Sequence, residues 1–161
     1  ITVSPYLGYG SLRPAIDLAH ATGRGVFVLA LTSNPEGAAV QHAVLDGQSV
    51  AGHVVAGATA DNAEARSRGE LGSVGLVVGA TVGDAVERLG LDLAGMGGPF
   101  LAPGVGAQGG TAESLRRVFG SALPNVLAAS SREILGAGPT VAALATRVGQ
   151  TAAALTETLR L

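Results

Sequence analysis

The chain has 161 residues, 47% hydrophobic and 14% charged, with a net charge of −2. That is about one domain's worth of sequence, and far too apolar for a disordered chain. Ten cations against twelve acids, no basic block and 3% aromatic residues leave no stripe or stacking platform for nucleic acid, and the absence of cysteine excludes a disulfide framework or thiolate metal site.

The first residues, Ile1-Thr2-Val3, form an apolar β-branched run. A chain rarely starts within a buried strand, so this is expected to be part of a longer protein. Residues 12–22 are predicted helical, with Pro14 near the start and Gly23 just past the end. Residues 25–31 follow as a strand, then a helical connection over 35–43 and 49–68, interrupted around Asp46-Gly47. A strand at 74–79, a short helix at 82–89 and a strand at 99–102 come next. Thr111 is placed to cap a helix over 112–119, a strand covers 125–129, and Pro139 opens a last amphipathic helix to about residue 159. The Gly136-Ala137-Gly138 segment reads as a loop.

The strands are continuously apolar, as expected when helices cover both faces of a parallel sheet. Alternation of strand and helix predicts an α/β fold, one domain over residues 1–161 with right-handed crossovers. The longest apolar run, residues 26–31, is too short to span a bilayer. No secretory pattern is present, and a cytoplasmic setting is expected.

In such folds ligands meet the C-terminal ends of strands. Those ends read Ser4-Pro5-Tyr6-Leu7-Gly8, Thr32-Ser33-Asn34-Pro35, Ala80-Thr81, Pro103-Gly104-Val105-Gly106-Ala107-Gln108-Gly109-Gly110-Thr111 and Ser130-Ser131-Arg132-Glu133. The glycine-rich segment lets backbone N–H groups face an anion at the start of the following helix. Arg132, one strand later, offers a forked and permanent charge. A phosphate site is therefore expected at Gly104 to Gly110 with Arg132. Gly104-x-Gly106-x-x-Gly109 also fits a dinucleotide fingerprint, with Arg132 beside a 2′-phosphate, so an NADP-binding oxidoreductase domain stands as an alternative.

His20, His42 and His53 fall in helices without metal spacing. Ser33 lacks a G-x-S-x-G setting. Asp17, Asp61, Glu64, Asp84 and Glu87 read as solvated helix acids. Glu133 is the one acid at a strand end, so paired carboxylates for acid–base work are not expected.

Taken together, the five strand-end segments, including Val78-Gly79-Ala80-Thr81 and Ser131-Arg132-Glu133-Ile134, resemble the orotidine 5′-phosphate decarboxylase family, in its longer bacterial branch. The resemblance implies a (β/α)8 barrel of roughly 250 residues, of which this chain would supply the C-terminal part, about strands 4 to 8 with their helices. It implies conversion of orotidine 5′-phosphate to UMP and CO2 without metal or organic cofactor. Thr32 and Ser33 would hold the pyrimidine. Pro103, Gly104, Gly106 and Gln108 would pack on the base and close over the phosphate, with Gly109 and Gly110 completing the loop, and Arg132 would grip the phosphate.

The family's Asp-x-Lys-x-x-Asp proton donor lies after strand 3. This chain has no lysine, all ten cations being arginine, so no catalytic residue is expected in it. The family also forms homodimers. A non-catalytic phosphate-binding barrel remnant is a further alternative. Five strands would leave two open edges, which invites pairing or assembly.

Overall fold

The computed structural model describes residues 1–159. Five parallel strands form its main sheet: β1 (Thr2–Val3), β2 (Val26–Leu31), β5 (Val74–Val78), β6 (Phe100–Pro103) and β7 (Val126–Ala129). Two short strands between them, β3 (Val44–Leu45) and β4 (Gln48–Ser49), form a separate antiparallel hairpin. The sheet order is β1-β2-β5-β6-β7, so strands that follow one another along the chain lie side by side. There is no reversal of order, hence none of the switch-point crevice in which a dinucleotide lies. The architecture is part of a (β/α)8 barrel, as expected, and the dinucleotide-domain alternative fails on topology.

The register explains why the strands are so apolar. Val26, Val28 and Ala30 of β2, with Val74, Leu76, Val78, Phe100 and Ala102, are buried. They pack with Ile16 of α1 (Arg13–Ala21), Val54 and Ala58 of α3 (Val50–Asp61), and Leu115 and Phe119 of α6 (Ala112–Phe119). The Phe100 and Phe119 ring centroids are 5.5 Å apart. Leu29, Val77, Leu101 and Leu127 are aligned across the ladder. Leu29 and Leu101 are half-buried, and Leu127 is 54% exposed. Helices were expected on both faces; this row instead belongs to the concave face that a barrel turns inward.

Several predicted elements change length. The connection at 35–43 is a 3-10 turn (Pro35–Gly37) and one turn of helix, α2 (Ala38–Gln41). The interruption at Asp46-Gly47 is the tip of the β3–β4 hairpin, with φ of 52° and 80° at the two residues, the left-handed pair an Asp-Gly two-residue turn supplies. Ser49 then caps α3 by accepting the Gly52 N–H at 3.0 Å.

The expected 49–68 helix divides at Asn62 into α3 and α4 (Ala63–Ser67). Asn62 is buried; its amide nitrogen donates to the Val74 carbonyl at 2.8 Å, and its oxygen accepts from the Val74 N–H at 3.1 Å. The helix expected at 82–89 shortens to α5 (Ala85–Arg88). A further turn of helix, α7 (Arg132–Leu135), follows the last strand end without having been predicted, and the last helix is α8 (Val141–Leu159). Among the described residues no helix is long and apolar enough to cross a membrane.

Asp84 pairs with Arg88 in solvent, as a solvated acid should. Asp61 does not behave so. Its carboxylate accepts both Arg13 guanidinium nitrogens at 2.6 and 2.8 Å and the Tyr9 hydroxyl at 2.6 Å. Burial alone would raise its pKa, but the bonds from Arg13 and Tyr9 outweigh burial and hold it below the usual carboxylate range. The stabilisation is therefore complete above the unfolded-state pKa of about 3.9 and is lost as pH falls through the lower folded value. Urea unfolding at pH 5 and pH 3 will show a larger loss of stability for the wild type than for Asp61→Asn.

Candidate functional site at the strand ends

Backbone bonds join neighbouring strand ends into one surface. The Gly79 N–H donates to the Leu31 carbonyl at 2.9 Å, Ala80 to Pro103 at 2.9 Å, and Val105 to Ala129 at 3.4 Å. Thr32 and Ser33, Gly79 and Ala80, the Pro103 to Gly110 loop and the segment carrying Arg132 therefore lie in a row at the C-terminal edge of the sheet. Pro103 stands in register with Ala129.

The glycine loop is closed by its own hydrogen bonds. Gly106 N–H donates to the Gly110 carbonyl (2.9 Å), Gly109 to Gly106 (2.7 Å) and Gly110 to Gly104 (3.0 Å). Three of the N–H groups expected to face an anion are thus engaged within the loop. The Gln108 side chain is exposed, and its Cβ and amide lie over Gly104. Gly106 has a φ of 78°, and the Glu133 carboxylate occupies the space a Cβ there would take, so this position demands glycine. The loop leads into α6, where the Thr111 hydroxyl accepts the Ser114 N–H at 3.1 Å and the Ser114 hydroxyl accepts the Thr111 N–H at 2.8 Å. The cap foreseen at Thr111 is present, in its reciprocal form.

Arg132 opens α7, exposed to solvent. It shares a shallow depression of about 510 Å³ with Gly106, Ala107, Glu133 and Arg147. Sequence reading missed Arg147, which comes from α8 and sits 3.4 Å from the Glu133 carboxylate. Two guanidinium groups and one carboxylate therefore surround this depression, a net positive setting suited to a multiply charged anion.

At the end of β2, three strands along from β7, Thr32 is half-buried and Ser33 exposed. Gln41, also missed, bonds Thr32 twice. A larger cleft of about 800 Å³ is lined by Arg24, Gly25, Ser73 and Pro99. These residues precede their strands, so that cleft is at the opposite end of the sheet from where such folds carry chemistry. Among the described residues no group of three or more His, Cys, Asp or Glu is placed to hold a metal ion.

These features define part of a β/α barrel whose strand ends carry a net positive depression and small polar side chains along one edge of the sheet. The chain belongs to the orotidine 5′-phosphate decarboxylase / HUMPS family, whose sequence model matches residues 1–146. It is 61% identical over 145 residues to an orotidine 5′-phosphate decarboxylase of Salinispora arenicola, covering 89% of this chain and 50% of that protein. Against the Streptomyces coelicolor enzyme of the same name it is 58% identical over 147 residues, covering 91% and 50%. A crystal structure from Streptomyces avermitilis, described as an orotidine 5′-phosphate decarboxylase, superposes with a TM-score of 0.87 at 52% identity, over 98% of this chain and 53% of that one. The chain spans about half the length of the curated relatives it matches.

Proposed function

We propose that this chain is the substrate-holding part of an orotidine 5′-phosphate decarboxylase, gripping the phosphate and the pyrimidine of orotidine 5′-phosphate and of its product UMP. The observation that carries the reading is the row at the strand ends. Within a family matched over 146 residues, Arg132 and the Gly104–Gly110 loop share one end of the sheet with Thr32 and Ser33.

In this reading Arg132 forms a charge-assisted pair with the phosphate. Gly104, Gly106, Gly109 and Gly110 keep the loop low enough for a ligand to lie against it. Pro103 and Gln108 pack on the base and close over the phosphate. Thr32 and Ser33 address the pyrimidine edge. Grip on the phosphate, remote from the reacting carbon, is binding energy available to the transition state. A homodimer and a cytoplasmic setting complete the proposal.

A thermal-shift comparison tests it. At a hundred times its Kd a ligand adds about 2.7 kcal/mol, or about 5–10 °C for a chain of this size. UMP will raise the melting temperature by that order, inorganic phosphate by less, and NADPH not at all. Stabilisation by NADPH without stabilisation by UMP overturns the reading.

A further inference from the structure

The segment after β2 contains a side chain whose hydrogen bonds are all directed at one residue of the proposed pyrimidine site. The Thr32 N–H donates to Gln41 Oε1 at 2.8 Å, and Gln41 Nε2 donates to Thr32 Oγ1 at 2.7 Å. With that acceptor site filled, the Thr32 hydroxyl gives its one proton to Asn34 Oδ1 at 2.6 Å. The Asn34 amide nitrogen in turn donates to Glu36 at 3.2 Å. The 3-10 turn and α2 fold the chain back so that residue 41 sits over residue 32. Gly37 lies against this cluster: a Cβ there would be 2.8 Å from Thr32 Oγ1 and 3.1 Å from Gln41 Nε2.

We propose that Gln41 is a positioning residue: it fixes the Thr32–Ser33 peptide so that Ser33, not Thr32, presents its hydroxyl to the base of a bound pyrimidine nucleotide. Three facts carry this. The Thr32 hydroxyl proton already has an acceptor. Ser33 is exposed at the strand end, and its hydroxyl makes no hydrogen bond among the described residues. Both polar atoms of Gln41 act on the residue directly before Ser33 rather than on the ends of α2. The inference rests on the substrate-holding reading above.

Its test separates base from phosphate. In this chain, Kd values for UMP and for ribose 5-phosphate are measured by calorimetry for the wild type, Gln41→Met, Gly37→Ala and Ser33→Ala. Methionine keeps the shape of glutamine without its hydrogen bonds, and alanine at Gly37 disturbs the same cluster from the other side.

UMP binding will weaken about five- to tenfold in each variant, as expected for one or two lost positional hydrogen bonds. Ribose 5-phosphate binding will stay within about twofold, since Arg132 follows β7, three strands along from β2. The Gln41→Met/Ser33→Ala double variant will lose little more UMP affinity than either single one, because both act through one contact.

Equal weakening of both ligands would assign Gln41 a purely structural role and overturn the inference. So would unchanged UMP binding in both Gln41→Met and Gly37→Ala. If Gln41→Met does not fold, Gly37→Ala and Ser33→Ala decide the matter. A wild-type chain that binds ribose 5-phosphate but not UMP removes the substrate-holding reading itself, and this inference with it.

Discussion

Given orotidine 5′-phosphate, this chain by itself will form no detectable UMP, whereas a chimera in which it replaces the matching 145-residue segment of the Salinispora arenicola protein will form UMP and CO2. The proton decides the outcome. Loss of CO2 breaks a carbon–carbon bond and leaves the electron pair on the ring carbon, which must then be protonated. A positioned acid contributes typically 10²–10⁴-fold to such a step. The chain has no lysine anywhere. Of the acids near the strand ends, Glu133 lies against Gly106 and Arg147, on the side of the glycine loop. Glu36, close to Thr32 and Ser33, is held below the usual carboxylate range by its backbone hydrogen bond and by Asn34, so it is ionised at neutral pH and has no proton to give. On the proposed substrate-holding reading, the chain holds its ligand without completing the reaction. Circular dichroism and UMP binding establish that both proteins are folded before UMP formation is followed. Measurable turnover by the purified chain would refute the prediction, and so would a folded, UMP-binding chimera that is inert.

Arg132→Met will weaken UMP and ribose 5-phosphate alike by about 100-fold. Hydrogen bonds to charged groups contribute ~1.5–3 kcal/mol, and ~2.7 kcal/mol is two factors of ten. Because Arg132 is exposed at the first position of α7, the substitution should leave folding within about 0.5 kcal/mol of the wild type. Arg132→Lys keeps the charge but not the fork, and will fall between the two. Titration at fixed ionic strength is the measurement, since the charge contribution is screened by salt. If the methionine variant binds both ligands as the wild type does, the depression beside Gly106 is not the phosphate site.

Much of the barrel was readable from sequence because its strands are short, apolar throughout and bounded by Gly, Pro, Ser or Thr. The positions of the strand ends follow from those apolar runs and their boundaries. What escaped depends on contacts between distant segments or on elements too short for a period to register. The β3–β4 hairpin has two residues on each side, and Val44-Leu45 merges with the apolar pattern of α2. The signal was there in Asp46-Gly47, a pair that favours a hairpin turn, but it was read only as a break. α7 is four residues long. Asp61 was judged by its helix position, while its partners Tyr9 and Arg13 lie 52 and 48 residues away. Gln41 and Arg147 belong to no motif; their significance comes from what the fold sets beside Thr32 and Glu133.

The strand-end segments are each tied together locally: 32–41 through Gln41 and Asn34, 104–110 through the glycine backbone, and 111–114 through the reciprocal cap. Neighbouring segments are joined by backbone bonds and by the Glu133 contact with Gly106, but the side-chain bonds of 32–41 stay within that segment. Side-chain changes at 32–41 and at Arg132 then have no shared side-chain partner through which to couple, and their free-energy effects on a ligand spanning them should add. A surface organised this way can alter its grip on the base while its hold on the phosphate stays the same.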